Sequence, residues 1–125
     1  MTQIMAKKIL VVDDEADLVK AIEIRLKAKG YEVLTAFDGE EALTRARRES
    51  PDLIILDIML PKINGFKVCR LLKFDEKYQK IPVIMLTAKT EEGDKTLGEE
   101  TGANEYLTKP FEWEDLMEKI EEHLD

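Results

Sequence analysis

Leu53-Ile-Ile-Leu-Asp57 sets four aliphatic residues in unbroken succession before an acid. A strand with one wet face alternates apolar and polar residues, whereas a strand covered by helices on both faces reads as continuous Val, Ile and Leu. Ile9-Leu-Val-Val12 and Val83-Ile-Met-Leu86 repeat the pattern. The segments between these runs carry helical spacing. Leu18, Ile22 and Leu26 recur every four residues, and Gly30 follows as a stop signal. Asp38 with Glu41 three residues on forms a capping-box variant, with Ala42, Leu43 and Ala46 as the inner face until Ser50-Pro51. Asn64-Gly65 opens a third helix with Val68, Leu71 and Leu72 inward, and Leu116, Ile120 and Leu124 share one face of a last one.

Two weaker strands complete the set, Tyr31-Glu-Val-Leu-Thr-Ala36 and Asn104-Glu-Tyr-Leu-Thr108, and both read as edges. Strands are then expected over about 8–13, 31–36, 52–56, 82–86 and 104–108, each followed by a helix. Strict alternation of strand and helix implies a parallel sheet with right-handed crossovers. With the three apolar runs central, the order 2-1-3-4-5 fits, the flavodoxin-like α/β arrangement with helices on both faces. The weakest element is a helix over about 91–101, where Leu97 is the one large apolar residue and two glycines intervene; each interior glycine costs ~1 kcal/mol relative to Ala. Without repeats or linkers, residues 1–125 read as a single domain with its core over about 8–124.

Composition narrows the function. The chain has 19 Lys and Arg against 27 Asp and Glu, a formal charge of −8. That surplus of acid argues against gripping a nucleic-acid backbone. One cysteine, Cys69, excludes an intrachain disulfide framework, and one histidine, His123, excludes His-rich zinc sites. No apolar run approaches the ~20 residues of a spanning helix, and Met1-Thr-Gln-Ile-Met-Ala-Lys-Lys8 lacks the apolar region of a signal peptide. A cytoplasmic protein without membrane partners is expected.

In open α/β sheets, ligands bind beyond the carboxyl ends of the strands, where the strand order reverses. Here those ends carry Asp13-Asp14-Glu15, Asp57, Thr87-Ala88 and Lys109-Pro110. Taken singly, Asp13-Asp14 can cap a helix, Asp57 can sit in a turn, and Lys109 can be a solvated charge. Taken together, they converge on one cleft. Like charges on adjacent strands repel and raise one another's pKa. A hard divalent cation relieves that repulsion, and all-oxygen ligands with room for water suit Mg²⁺. A carboxylate held between a cation and a lysine makes sense as a nucleophile toward a phosphoryl group, whose oxygens need positive charge during transfer. The Thr87 hydroxyl can donate to one of those oxygens, and Ala88 leaves room for the incoming group.

The chain resembles the receiver domain of bacterial two-component response regulators from Lys8 to Leu124. Asp13-Asp14, Asp57 with Met59-Leu60-Pro61 and Gly65, Thr87-Ala88, and Lys109-Pro110-Phe111 stand at that family's spacing. The resemblance implies that Asp57 becomes an aspartyl phosphate, taking the group from a phosphohistidine on a sensor histidine kinase or histidine phosphotransfer protein. It implies that Asp14, Asp57 and the Met59 carbonyl bind Mg²⁺, that Asp13 acts through water, and that the Lys109-Pro110 peptide is cis. It further implies a relay in which Thr87 moves toward the phosphoryl group and Tyr106 turns inward. The surface built from residues 91–101, the last strand and the last helix would then change toward an unknown protein target.

Haloacid-dehalogenase-type phosphatases also use an aspartate nucleophile but place a second aspartate two residues later as acid and base. Met59 stands there, so a slow switch that promotes its own phosphorylation is expected rather than an enzyme. A flavodoxin is excluded, because Asp13-Asp-Glu-Ala-Asp17 would repel a flavin phosphate. The remaining alternative is the receiver piece of a longer DNA-binding response regulator. Winged-helix members of the family dimerise through charge pairs using two acids before the last-strand tyrosine and basic residues along the last helix. Asn104-Glu105 replaces the acid pair here, and Glu118, Glu121 and Glu122 make that helix acidic. A stand-alone, monomeric receiver is therefore expected. Ile24 and Val19, off and at the margin of the first helix's inner stripe, are candidate donor contacts, and Trp113 is a candidate fluorescent reporter.

Overall fold

A computed structural model of the chain describes residues 6–88 and 102–124. Its elements run β1 (Lys8–Val12), α1 (Ala16–Ala28), β2 (Glu32–Ala36), α2 (Gly39–Glu49), β3 (Leu53–Asp57), α3 (Gly65–Lys73), β4 (Val83–Ala88), β5 (Glu105–Lys109) and a last helix (Trp113–Leu124). The strands form one sheet in the order β2-β1-β3-β4-β5, and all four pairings are parallel. The expected α/β fold, strand order and edge positions of β2 and β5 are present. The helix expected over about 91–101 lies outside the described residues.

Strand periodicity divides the core into two layers. Leu10, Val12, Ile54, Leu56, Val83 and Met85 face Ala42, Leu43 and Ala46 of α2 and Val68, Cys69 and Leu72 of α3. Their immediate neighbours Ile9, Val11, Leu53, Ile55, Ile84 and Leu86 face Val19, Ile22 and Leu26 of α1 and Leu116, Met117 and Ile120 of the last helix. Successive side chains of a strand point to opposite faces, so a strand walled by helices on both sides has no position for a polar residue. That accounts for the unbroken apolar runs. Among the described residues no helix is long and apolar enough to cross a membrane.

Helix starts follow their capping residues. The Asp38 carboxylate accepts from the Glu41 N–H at 2.8 Å, and the Glu41 carboxylate accepts from the Phe37 N–H at 3.0 Å. Asn64 accepts from the Lys67 N–H at 3.0 Å. Two helix faces differ from the expected ones. Val19, at 2 % exposure, belongs to the core of α1 while Leu18 is partly buried at its margin, so Val19 is not a surface contact. Leu71, expected inward on α3, is 39 % exposed, and Cys69 takes an inward position instead. Both shifts are rotations of a short helix about its axis against the sheet. Ile24 is exposed, as its place off the stripe requires.

Candidate functional site

The same two-residue alternation that builds the core assembles the site. Ile9 and Val11 on β1 point to the α1 side, and Asp13 continues that row just past the strand. Leu53 and Ile55 do the same on β3, and the row ends in Asp57. On β5 the row passes from Leu107 to Lys109. Asp13, Asp57 and Lys109 therefore arrive at one end of the sheet, on one face. Lys109 Nζ lies 2.6 Å from Asp13 Oδ2 and 3.5 Å from Asp57 Oδ1. The Lys109–Pro110 peptide is cis, as the resemblance implied.

Asp14 is exposed at the rim, but its carboxylate remains in the cluster. Asp13, Asp14 and Asp57 each bring an oxygen within 4.8 Å of the others. Three acids supplying oxygen alone form the donor set of a hard divalent cation, and an open rim leaves space for its water ligands. The residues fit such an ion. The Asp57 carboxyl is pushed up to about 6, first by burial, then by the charge of Asp13 and to a smaller extent that of Asp14, with Lys109 and the Met59 backbone N–H opposing the rise. Burial alone would lower the Lys109 ammonium, but the Asp13 hydrogen bond and the charges of Asp57, Asp13 and Glu15 outweigh it and hold Lys109 above its ordinary value.

The loop after β3 is held tightly against the acceptor strand. The Gly65 N–H donates to the Ile58 carbonyl at 2.8 Å, and a Cβ at Gly65 would overlap the Asp57 carbonyl oxygen. Gly39 is confined in the same way under the Ile63 carbonyl and donates its N–H to Pro61 at 3.2 Å. Met59 projects its side chain outward, 72 % exposed, while its N–H faces Asp57.

Thr87 belongs to the other row of β4. It follows Val83 and Met85 on the α2 and α3 side, and it is buried. Tyr106 pairs with Met85 across β4 and β5 and packs against that same layer, half-buried. Thr87 and Tyr106 thus share a face, one strand apart and two rows removed. Ala88 pairs with Lys109 at the end of the sheet.

This combination, an acid in the buried central strand with a lysine and two further acids over it, is matched along nearly the whole chain. The family model described as the response regulator receiver domain matches residues 9–121. The chain belongs to the response regulator receiver domain family. Receivers of response regulators are phosphorylation-dependent signalling switches rather than conventional enzymes, and response regulators receive phosphoryl groups from histidine kinases. The receiver is 55 % identical over 107 residues to the alkaline phosphatase synthesis transcriptional regulatory protein PhoP of Bacillus subtilis, covering 86 % of this chain and 44 % of that protein. It spans less than half the length of that relative. Among solved structures it is similar to a putative response regulator from Chloroflexus aurantiacus, with a TM-score of 0.91, 37 % identity and coverage of 96 % and 98 % of the two chains. The chemotaxis response regulator CheY4 of Vibrio cholerae gives 0.89 and 35 %, covering 96 % of this receiver and all of that chain.

One site residue carried no assigned role in the sequence. Glu15 reaches Lys109, with Oε1 3.4 Å from Nζ. The signal that could have found it is its position, because Glu is an unfavoured residue immediately before a helix.

Proposed function

We propose that Asp57 is the phosphoacceptor of this receiver and that Asp14, Asp57 and the Met59 carbonyl hold Mg²⁺, with Asp13 acting through water. The observation that carries the reading is the Lys109 ammonium 3.5 Å from a buried Asp57, within a cluster of three acids. An Asp57 oxygen attacks the phosphorus of a phosphohistidine in line. The P–N bond breaks, and its electron pair leaves with the imidazole nitrogen, which takes up a proton. Lys109 neutralises a phosphoryl oxygen as charge shifts, and Thr87 donates to another. Bound Mg²⁺ supplies positive charge to the same oxygens. The apolar Met59 side chain gives water no base, so the acyl phosphate is lost slowly. This receiver thereby promotes both its own labelling and its slow reversal.

The phosphoryl group adds charge but little bulk, so its effect must be relayed. Thr87 and Tyr106 lie on one face of the sheet, which supports a relay from the acceptor to the β5 edge. Coupling of on the order of 1–3 kcal/mol changes partner affinity about 5- to 150-fold. The donor is a sensor histidine kinase or histidine phosphotransfer protein in the cytoplasm, and the target is a protein.

Two arrangements are compatible with this switch. Glu105 is held within the chain by Lys119 at 3.3 Å and His123 at 3.1 Å, which supports a monomeric stand-alone receiver. The likeness to a transcriptional regulator more than twice the matched length favours a second reading, the receiver part of such a regulator.

The test is mass spectrometry after incubation with Mg²⁺ and acetyl phosphate. Wild type gains one acid-labile phosphoryl group and Asp57→Asn gains none. Equal labelling of the two proteins overturns the assignment.

A further inference from the structure

Glu15 stands where α1 begins, and as a capping residue it is a poor choice. Ser, Thr, Asp and Asn are favoured there because a short side chain brings its oxygen back to the first-turn N–H groups. Glu15 makes no such hydrogen bond. Its side chain, 65 % exposed, extends across the cleft to Lys109, a residue 94 positions away in the chain. Its own N–H donates to Asp13 Oδ1 at 2.9 Å, which fixes the root of that side chain beside the acid cluster. Among the described residues, the Lys109 ammonium therefore has three carboxylates around it: Asp13 at 2.6 Å, Glu15 at 3.4 Å and Asp57 at 3.5 Å. The acceptor is the most distant of the three.

We propose that Glu15 is a positioning residue whose carboxylate holds the Lys109 ammonium toward the mouth of the cleft while Asp57 is unmodified, and so opposes the shift of that ammonium onto a phosphoryl oxygen. The inference rests on the reading of Asp57 as the phosphoacceptor. A phosphoryl group brings nearly two negative charges to Asp57, and Lys109 must then serve that group instead of Glu15. The buried Asp13 stays with Lys109 in either state. Among the described residues, Glu15, exposed and at the edge of contact range, is the one competitor that can be removed without uncovering a buried charge. An exposed pair of this kind is a weak one, so its removal favours labelling by about two- to five-fold.

Two variants separate positioning from simple repulsion of an anionic donor. Glu15→Gln removes the charge, whereas Glu15→Asp keeps it on a side chain one methylene too short to reach Lys109. Labelling of Asp57 is followed with Mg²⁺ over a range of acetyl phosphate concentrations, and thermal melting checks that the variants fold. Both variants are expected to raise the saturating rate about two- to five-fold over wild type, with little change in the half-saturating donor concentration. If Glu15→Asp behaves as wild type while Glu15→Gln is faster, or if only the half-saturating concentration moves, Glu15 acts by repulsion and the positioning role is overturned. Variants matching a labelled wild type overturn the Glu15 assignment alone. A wild type that takes up no phosphoryl group removes the acceptor reading as well.

Discussion

Asp57 is kept ionised at neutral pH against its surroundings. Burial, then Asp13, lift its carboxyl to about 6, against an ordinary value near 3.8. The folded form therefore takes up a proton between about pH 6 and pH 4 that the unfolded chain does not, so the folded domain gains stability as pH falls through that window. Above it, the buried charge costs about 3 kcal/mol. Asp57→Asn is expected to stabilise the metal-free domain by about that amount at pH 7, with the gain gone by pH 4. Denaturant unfolding in EDTA at the two pH values measures it, and a gain that persisted at pH 4 would point to packing instead of charge. The sequence showed which residues stand at the strand ends, and Asp13, Asp57 and Lys109 meet as those positions require. It did not reveal that Lys109 is shared with Glu15, because that contact depends on where a flexible side chain turns 94 residues away.

At the scale of the element, the strands were easier to read than the helix faces. An unbroken aliphatic run has one explanation, burial on both sides, and the three central strands follow from it. A helix offers two stripes at similar spacing, such as Leu18-Ile22-Leu26 and Val19-Ile22-Leu26, and the choice depends on how it is rolled against the sheet. On α3 that roll leaves Leu71 outside and brings Cys69 in. Gly65 was legible as a helix start, but its closer constraint was not. A methyl group there would occupy the space of the Asp57 carbonyl oxygen. Gly65→Ala is expected to destabilise the domain by about 2 kcal/mol or more, since both close partners are backbone and cannot rotate away. It should also slow phosphoryl uptake by displacing Asp57. Thermal melting with a labelling time course checks both, and a variant with unchanged melting would show that the loop retreats freely.

Across the whole molecule, acids outnumber bases by eight, and the three site carboxylates concentrate that imbalance at one end of the sheet. At the opposite end, Lys8 reaches Glu32 at 3.9 Å and Glu49 at 3.8 Å, and these acids are not gathered into one cluster with the site carboxylates. A divalent cation should therefore stabilise the folded domain by occupying the uncompensated end. At a hundred times its dissociation constant, such an ion adds about 2.7 kcal/mol to the folding free energy. Mg²⁺ is expected to raise the melting temperature of wild type, and Asp14→Ala should abolish the increase while melting normally without metal, because Asp14 is exposed. An equal rise in the variant would move the ion elsewhere.

Asp57 ends β3 and Thr87 stands one residue before the end of the adjacent β4, with their side chains in opposite layers, one over α1 and the last helix, the other over α2 and α3. A modification at that rim touches both compartments of the interior at once. Evolution can therefore recruit a listener against either flank of the domain while leaving the chemistry at its tip unchanged.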